Sequence, residues 1–164
     1  MKQLFFICLT ATLILSFSCC IKDHCKNVSC GQYGTCEGNG VCSCSDGVTL
    51  VNGKCDQLDR ADLLGRFFIS STTNSCGGTF PASTPLDISV GGSDNLAVIT
   101  LSVQGAMQNV KATAKQTSIT VNDNQSQYLY TGSGNLSGNN LSLTIMEKDK
   151  ATNATCTFVF AANR

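Results

Sequence analysis

The sequence predicts a small disulfide-rich module followed by an all-β antiparallel domain that forms a sandwich or a small barrel. Six cysteines fall within residues 25–55, a glycine-rich stretch that is too short to bury an adequate core, so cross-links must hold it folded. Residues 65–164 alternate apolar and polar positions in short runs, which is the period of strands with one buried and one wet face. Clusters of Asn and Gly separate these runs, and no segment shows a helical period.

The N-terminus has the pattern of a secretory signal. Lys2 precedes an apolar run from Leu4 to Phe17, and this run of about fourteen residues is shorter than the roughly twenty needed to cross a bilayer. The residues at its end, Ser-Phe-Ser-Cys-Cys over 16–20, resemble the lipobox of bacterial lipoproteins, in which a cysteine becomes the acylated first residue of the mature chain. The resemblance implies a signal peptide over residues 1–19 and a short tether over 20–24.

Two cysteines compete for the lipid. Acylation of Cys20 removes Cys19 with the signal and leaves eight cysteines, an even number that can pair completely, whereas acylation of Cys19 leaves Cys20 spare. Ser18 is the more usual residue just before a cut and favours Cys19. We predict acylation of Cys20, with Cys19 as the alternative.

The module's cysteines have the spacing Cys25-x4-Cys30-x5-Cys36-x5-Cys42-x-Cys44-x10-Cys55. Six cysteines permit fifteen connectivities, and spacing alone does not choose among them. The order, with one residue between the fourth and fifth cysteines, resembles that of EGF-like domains over residues 25–55. That resemblance implies the disulfides Cys25–Cys36, Cys30–Cys42 and Cys44–Cys55.

Residues 56–64 are the predicted linker, whose leucines could form a helical turn or pack the module against the next domain. The all-β domain then occupies residues 65–164. Its strand candidates are Arg66–Ser71, Leu86–Val90, Leu96–Val103, Val110–Ala114, Ser118–Val121, Tyr128–Thr131, Asn135–Ser137, Leu141–Glu147 and Thr155–Ala161. The predicted turns are Gly91–Asn95, Asn122–Asn124, Gly132–Gly134 and Gly138–Asn140, because Asn and Gly accept positive φ angles.

Two cysteines, Cys76 and Cys156, lie in the all-β domain, and in an oxidising compartment we expect them to pair with each other. The turn-strand phrase over residues 132–145 and the later run Cys156–Phe160 resemble the small lipocalin-like β-domains of bacterial surface lipoproteins. This resemblance implies a barrel or a curved sandwich and does not identify a ligand.

Two tyrosines are the candidate binding residues. Tyr128 and Tyr130 are two positions apart, so on a strand they share a face. If they are exposed, this pair of phenols could stack on a sugar or a peptide. If they are buried, they are core residues with their hydroxyls at its edge.

Catalytic and metal-binding motifs are missing from the sequence. The one histidine, His24, is interpreted as a solvated linker residue, and we predict no catalytic residue, no cofactor and no metal site. Calcium binding by the module stays open, since only Asp23 offers a carboxylate ahead of the first cysteine. Ten basic against eleven acidic residues after the signal give a net charge of −1, and no basic patch indicates nucleic-acid binding.

These observations predict a lipid-anchored extracytoplasmic protein of the bacterial envelope, at the outer membrane or the cell surface. Its function would be to bind a partner or to contribute to envelope structure, with the module as a spacer that presents the β-domain. The partner would be the membrane through the lipid, together with a protein, a glycan or a small apolar molecule. The alternatives are a secreted eukaryotic EGF-like ligand or matrix protein with occupied N-glycosylation sites, and an enzyme that uses Asp87 and Glu147 as acid and base.

Overall fold

The computed structural model describes residues 23–92 and 95–164. The predicted signal peptide and both candidate lipidation residues, Cys19 and Cys20, lie outside these ranges. Within the described ranges, no helix is long and apolar enough to cross a membrane.

The cysteine-rich module consists of two small hairpins. The first pairs β1 (Gly34–Cys36) with β2 (Cys42–Cys44), and the second pairs β3 (Val48–Val51) with β4 (Lys54–Leu58). Three disulfides join them in the pairs that the resemblance to EGF-like domains implied: Cys25–Cys36, Cys30–Cys42 and Cys44–Cys55. The buried apolar side chains of residues 25–55 are those of Cys30, Val48 and Cys55. Such a core is too small to stabilise the fold by burial alone, so the disulfides hold the module folded.

The second part of the chain is a closed eight-stranded antiparallel barrel. Each strand pairs with the next in sequence, and the last pairs with the first, which leaves no free edge. The strands are β5 (Gly65–Asn74), β6 (Pro85–Val90), β7 (Val98–Val103), β8 (Met107–Lys115), β9 (Ser118–Asn124), β10 (Tyr128–Ser137), β11 (Asn140–Asp149) and β12 (Thr155–Asn163). The prediction of an all-β antiparallel fold is confirmed, and of the two shapes that it allowed the chain adopts the barrel.

Alternating side chains fill the barrel interior. In β11, for example, Leu141, Leu143 and Ile145 are buried while the residues between them are exposed. The buried apolar residues of all eight strands belong to one continuous cluster, which includes the large side chains of Phe67 and Phe160. The interior is therefore a packed core of the kind that small barrels have.

Two predicted turns are strand instead. Gly132–Gly134 lies inside β10 and joins the two strands predicted on either side of it, and Asn122–Asn124 completes β9. Neither Gly132 nor Gly134 has a positive φ. A Cβ on Gly134 would lie 2.7 Å from a carbonyl oxygen of β11, and one on Gly132 would clash with that strand's backbone as well. These glycines thus allow the close approach of β11, although in the sequence they have the composition of a turn.

The predicted linker, residues 56–64, is not a free connection. Its first three residues complete β4, and residues 59–63 form a turn whose backbone includes a bond from the Leu64 amide to the Arg60 carbonyl. Leu63 is fully buried and belongs to the barrel core. The segment therefore packs the module directly against the barrel, because its leucine has an apolar cluster to enter.

Candidate binding site at the mouth of the barrel

The two ends of the barrel are built from different loops, because successive antiparallel strands turn back at opposite ends. At the end that we call the module end lie the connections over residues 91–97, 116–117 and 138–139, together with the turn 59–63. The opposite end, which we call the mouth, has the connections over residues 75–84, 104–106, 125–127 and 150–154.

The module end is closed by buried side chains from the connecting turn. Leu63 fills the barrel core there, and Arg60 is only 8 % exposed although it carries a charge. The Arg60 guanidinium donates through Nη1 to three backbone carbonyls of the β6–β7 connection, on Gly92, Asn95 and Val98, at 3.2–3.5 Å. A guanidinium that replaces water on three carbonyl groups holds this connection against the turn.

The last residue of the chain strengthens the same end. Arg164 donates from Nη2 to the Asp62 carbonyl at 2.6 Å and from Nη1 to the Leu64 carbonyl at 3.3 Å. Its guanidinium also lies 5.0 Å from the centre of the Phe67 ring, within the range of a cation–π contact.

The module itself contacts this end through the connection between its two hairpins. Gly47, with a φ of +82°, approaches the backbone of Ala97 so closely that a Cβ would clash with it. The Gly47 carbonyl accepts a bond from the Asp59 amide at 2.9 Å, and the Thr49 hydroxyl donates to the Asp59 carboxylate. Module, turn and barrel are thus joined by backbone contacts as well as by side chains.

The mouth contains polar side chains that point inward. In register, Tyr130 of β10 lies opposite Asp123 of β9 on one side and Glu147 of β11 on the other, and Glu147 lies opposite Cys156 of β12. Residues paired across strands share a face. Since Tyr130 is 3 % exposed and belongs to the core cluster, that face is the interior. Two carboxylates therefore flank a buried phenol just inside the mouth.

The environment of Tyr130 further favours the neutral form of its phenol. Burial of the ring raises the pKa of Tyr130 above its ordinary value of 10.0, and the charge of Glu147, a hydrogen bond with that carboxylate and the charge of Asp123 raise the pKa further. The hydroxyl is thus a hydrogen-bond donor throughout the physiological pH range, beside two acceptors that are negatively charged.

Two groups of aromatic rings lie toward this end of the barrel. The rings of Tyr128 and Tyr130 lie 6.0 Å apart and are tilted by 52°. Phe80 lies in the β5–β6 connection, and its ring centre is 5.7 Å from that of Phe160 and 6.2 Å from that of Phe158. The disulfide Cys76–Cys156 ties this connection to the start of β12 and so holds Phe80 against the core.

The rim of the mouth is held by local hydrogen bonds. The Lys150 ammonium donates hydrogen bonds to the backbone carbonyls of Gln125 and Ser126. The Asp149 carboxylate accepts hydrogen bonds from the backbone amides of Ala151 and Thr152. Asp123 accepts two hydrogen bonds through Oδ2, from the Lys111 amide at 3.0 Å and from the Gln125 side chain at 2.9 Å. Over the part of the chain that the structure describes, Glu147 has no Lys or Arg within 4.0 Å.

The sequence-predicted residues are only partly brought together. Tyr128 and Tyr130 do lie side by side, with Tyr130 buried and Tyr128 half-buried. Asp87 and Glu147 are separated: Asp87 is on the outer face of β6, in an ion pair with Arg66 at 2.7 Å. His24 lies in the module, where its carbonyl faces Gly40. Within residues 23–92 and 95–164, no group of three or more potential metal ligands is present.

Sequence reasoning did not recognise the inward carboxylates as a pair: it named Glu147 only with Asp87, as acid and base of a possible enzyme, and it did not name Asp123. The signal was available in the alternation, because Glu147 continues the series Leu141, Leu143 and Ile145, and Asp123 follows Ile119 and Val121 at the same spacing. An acidic residue on the apolar parity of a strand predicts a charge that faces the interior.

A second concave surface lies on the module. A cleft of about 700 Å³ is lined by the β3–β4 hairpin and the turn after it, including Val51, Lys54, Leu58 and Ala61. Its lining includes the polar side chains of Asn52, Asp56 and Gln57 but no aromatic ring, whereas the mouth combines aromatic rings with carboxylates.

Comparisons of the chain with protein-family models, with curated proteins and with solved structures find no match. The function is therefore inferred from the residues of the mouth and from the arrangement of the two parts of the chain.

Proposed function

We propose that this protein is a lipid-anchored binding protein of the bacterial envelope, located outside the cytoplasm. In this proposal Cys20 carries the lipid, and the cysteine-rich module is an EGF-like unit. The module presents the barrel with its mouth directed away from the membrane. The binding function would reside in the mouth.

The observation that carries this proposal is the opposite placement of the module and the mouth. Two residues of the cysteine-rich half, Gly47 and Arg60, contact the end of the barrel opposite to Asp123 and Glu147. The N-terminal half of the chain thus approaches the barrel from the closed end. An anchor at the N-terminus would leave the mouth free for a ligand.

The docked turn supports a fixed presentation. A flexible linker would let the barrel turn in any direction and would lose entropy whenever a particular orientation is needed. Here Leu63 is buried in the barrel core and Arg60 is bonded to three carbonyls, so the module acts as a rigid base. Anchoring and orientation are then properties of one folded unit.

The anchor is tested by intact mass spectrometry of the protein extracted from membranes, with Cys19→Ser and Cys20→Ser variants as a matched pair. We expect a mass increment of two or three acyl chains that is lost in the Cys20 variant alone. An unlipidated chain with glycans on the exposed Asn27 or Asn153 would refute the proposal in favour of a secreted eukaryotic protein.

The orientation is tested by amine labelling of intact cells, read out by peptide mass spectrometry. Lys26 is exposed and lies close in sequence to the proposed anchor, whereas Lys148 is at the mouth end of β11. We expect Lys26 to be labelled less in cells than in detergent solution and Lys148 to be labelled equally in both. The opposite pattern would mean that the mouth faces the membrane.

A further inference from the structure

We infer that the turn at the tip of the β3–β4 hairpin is a site of spontaneous covalent modification, at which Asn52 loses its side-chain amide and becomes an aspartyl or isoaspartyl residue. The reaction requires no enzyme, and it depends neither on the lipid anchor nor on a ligand at the mouth. The inference therefore goes beyond the proposed function and is tested independently of it.

The chain contains two Asn-Gly dipeptides, and both lie in the cysteine-rich module: Asn39-Gly40 and Asn52-Gly53. An asparagine followed by glycine is especially prone to this reaction, because glycine has no side chain to hinder attack by its backbone nitrogen and leaves the backbone free to rotate. The two dipeptides have the same chemistry, so the folded structure decides which of them reacts.

Asn52 and Gly53 form the exposed two-residue turn between β3 and β4, with φ angles of +51° and +76°. A two-residue turn with positive φ at both positions is the type I′ turn that Asn-Gly favours. A Cβ placed on Gly53 would meet no atom within 4 Å, so the turn is open around its second residue. Within residues 23–92 and 95–164, neither the Asn52 side chain nor the Gly53 amide has a hydrogen-bond partner.

The tip of the hairpin is also weakly tied to the rest of the module. The pairing of β3 with β4 has a register shift between Thr49 and Val51, and beyond this shift the pair Val51–Lys54 closes the turn. Val51 itself is 40 % exposed. Local opening of a segment with few buried contacts costs little free energy, and such opening lets the Gly53 nitrogen approach the Asn52 side chain.

The Asn39-Gly40 turn is held in place by several contacts. The Asn39 side-chain carbonyl accepts a hydrogen bond from the Val41 amide at 3.0 Å, and the Gly40 amide donates to the Glu37 carbonyl at 2.8 Å. A Cβ on Gly40 would lie 3.1 Å from the His24 carbonyl oxygen, so this turn packs against the start of the module. Both groups that would react are therefore engaged.

The reaction is an intramolecular substitution. The Gly53 backbone nitrogen forms a bond to the side-chain carbonyl carbon of Asn52, the bond from that carbon to the side-chain nitrogen breaks, and ammonia leaves with the proton of the Gly53 amide. The cyclic imide then adds water at one of its two carbonyls. Opening at the side-chain carbonyl gives an aspartyl residue, and opening at the main-chain carbonyl gives an isoaspartyl residue.

The modification changes the cleft on the module, whose lining includes Asn52. The charged side chains of this lining are those of Lys54 and Asp56, which balance each other. A new carboxylate at position 52 leaves one positive against two negative charges, a net charge of −1. An isoaspartyl residue also adds a methylene to the backbone of a turn whose register has room for two residues. The cleft would therefore change in charge and in shape.

The test follows the full protein, purified with its disulfides intact, during incubation in neutral and in mildly alkaline buffer. Samples are quenched in acid, reduced and digested after Glu and Asp residues, which places Asn39 and Asn52 in different peptides because Asp46 lies between them. Mass spectrometry measures the fraction of each peptide in which the amide has become a carboxylate. The reduced and unfolded chain is the control, in which both turns are released.

We expect the two asparagines to react at similar rates in the unfolded chain. In the folded protein, two hydrogen bonds of ordinary strength must break before Asn39 reacts, so Asn52 should react faster by a factor of about ten to a hundred. Alkaline buffer should accelerate the reaction, since the attacking nitrogen must lose its proton. Asn52→Gln should abolish the more acidic species that forms on incubation and is separated by ion exchange. Asn39→Gln, the matched change in the other turn, should leave that species unchanged.

Equal rates at Asn39 and Asn52 in the folded protein would overturn the inference, as would conversion of Asn52 in the unfolded chain alone. Lipidation of Cys20 and the labelling pattern of the lysines are measured separately. A failure of the modification in a protein that carries the lipid would refute this inference and leave the proposed function standing.

Discussion

Leu63 is the side chain through which the connecting turn enters the barrel core, and shortening it tests how the two parts of the chain are joined. The residue is completely buried and belongs to the same cluster as the barrel's large side chains. Leu63→Ala removes three carbon atoms from this cluster. At about 0.8 kcal/mol for each buried methylene, the lost transfer free energy is about 2.4 kcal/mol. The cavity that is left behind raises the expected loss of unfolding free energy to about 3–4 kcal/mol.

The measurement is urea unfolding under non-reducing conditions, followed by far-ultraviolet circular dichroism. Leu50→Ala is the matched control, because Leu50 is the same residue type in the module but is 48 % exposed. Its effect should stay within about 0.5 kcal/mol, as for other surface substitutions. If Leu63→Ala cost less than about 1 kcal/mol, or no more than the control, the turn would not be part of the core. The proposed rigid presentation would then lose its physical basis.

Three further outcomes follow from the barrel. Gly132→Ala should lower the unfolding free energy by about 1–3 kcal/mol, because its Cβ would meet the backbone of β11, whereas Gly38→Ala, which has open space around it, should have little effect in the same urea titration. Replacing Cys76 and Cys156 together by serine opens a loop that spans 80 residues. By the chain-entropy model this should lower the unfolding free energy by roughly 4 kcal/mol. A melting temperature equal to that of the parent would contradict this expectation. The hydrogen bond from the Arg66 guanidinium lowers the pKa of Asp87. The ion pair therefore adds a small stability at pH values above the ordinary Asp pKa of about 3.9, and this stability is lost as the pH falls below that value. The difference in stability between the parent and Asp87→Asn should therefore vanish in acid, and a difference that grew on acidification would show that the sign is wrong.

Much of the fold could be predicted because its signals are local. Period-two alternation depends only on neighbouring residues, and it located seven of the eight barrel strands to within a few positions and divided β10 into two. The expected pairing of Cys76 with Cys156 followed from cysteine number and compartment, and the structure contains it. The errors fell at Gly132–Gly134 and Asn122–Asn124, where residues that favour turns continue a strand. Their conformation depends on the neighbouring strand, which the local sequence does not identify.

The candidate site was predicted less completely. The pair Tyr128 and Tyr130 could be found because two residues on one strand share a face whatever the strand's neighbours are. Glu147 and Asp123 could not be joined to them from sequence, since each comes from a different strand. Register decides which side chains meet, and it is set by the whole closed sheet.

The sequence by itself determined the division into a cysteine-rich part and an all-β part, because composition and alternation are properties of the chain before it folds. Only the tertiary structure decided that the sheet closes, that Leu63 and Arg60 dock the connecting turn on one end, and that carboxylates flank Tyr130 at the other. Each of these features joins residues that are far apart in sequence. Their contacts exist only when the last strand pairs with the first, and no local preference specifies that closure.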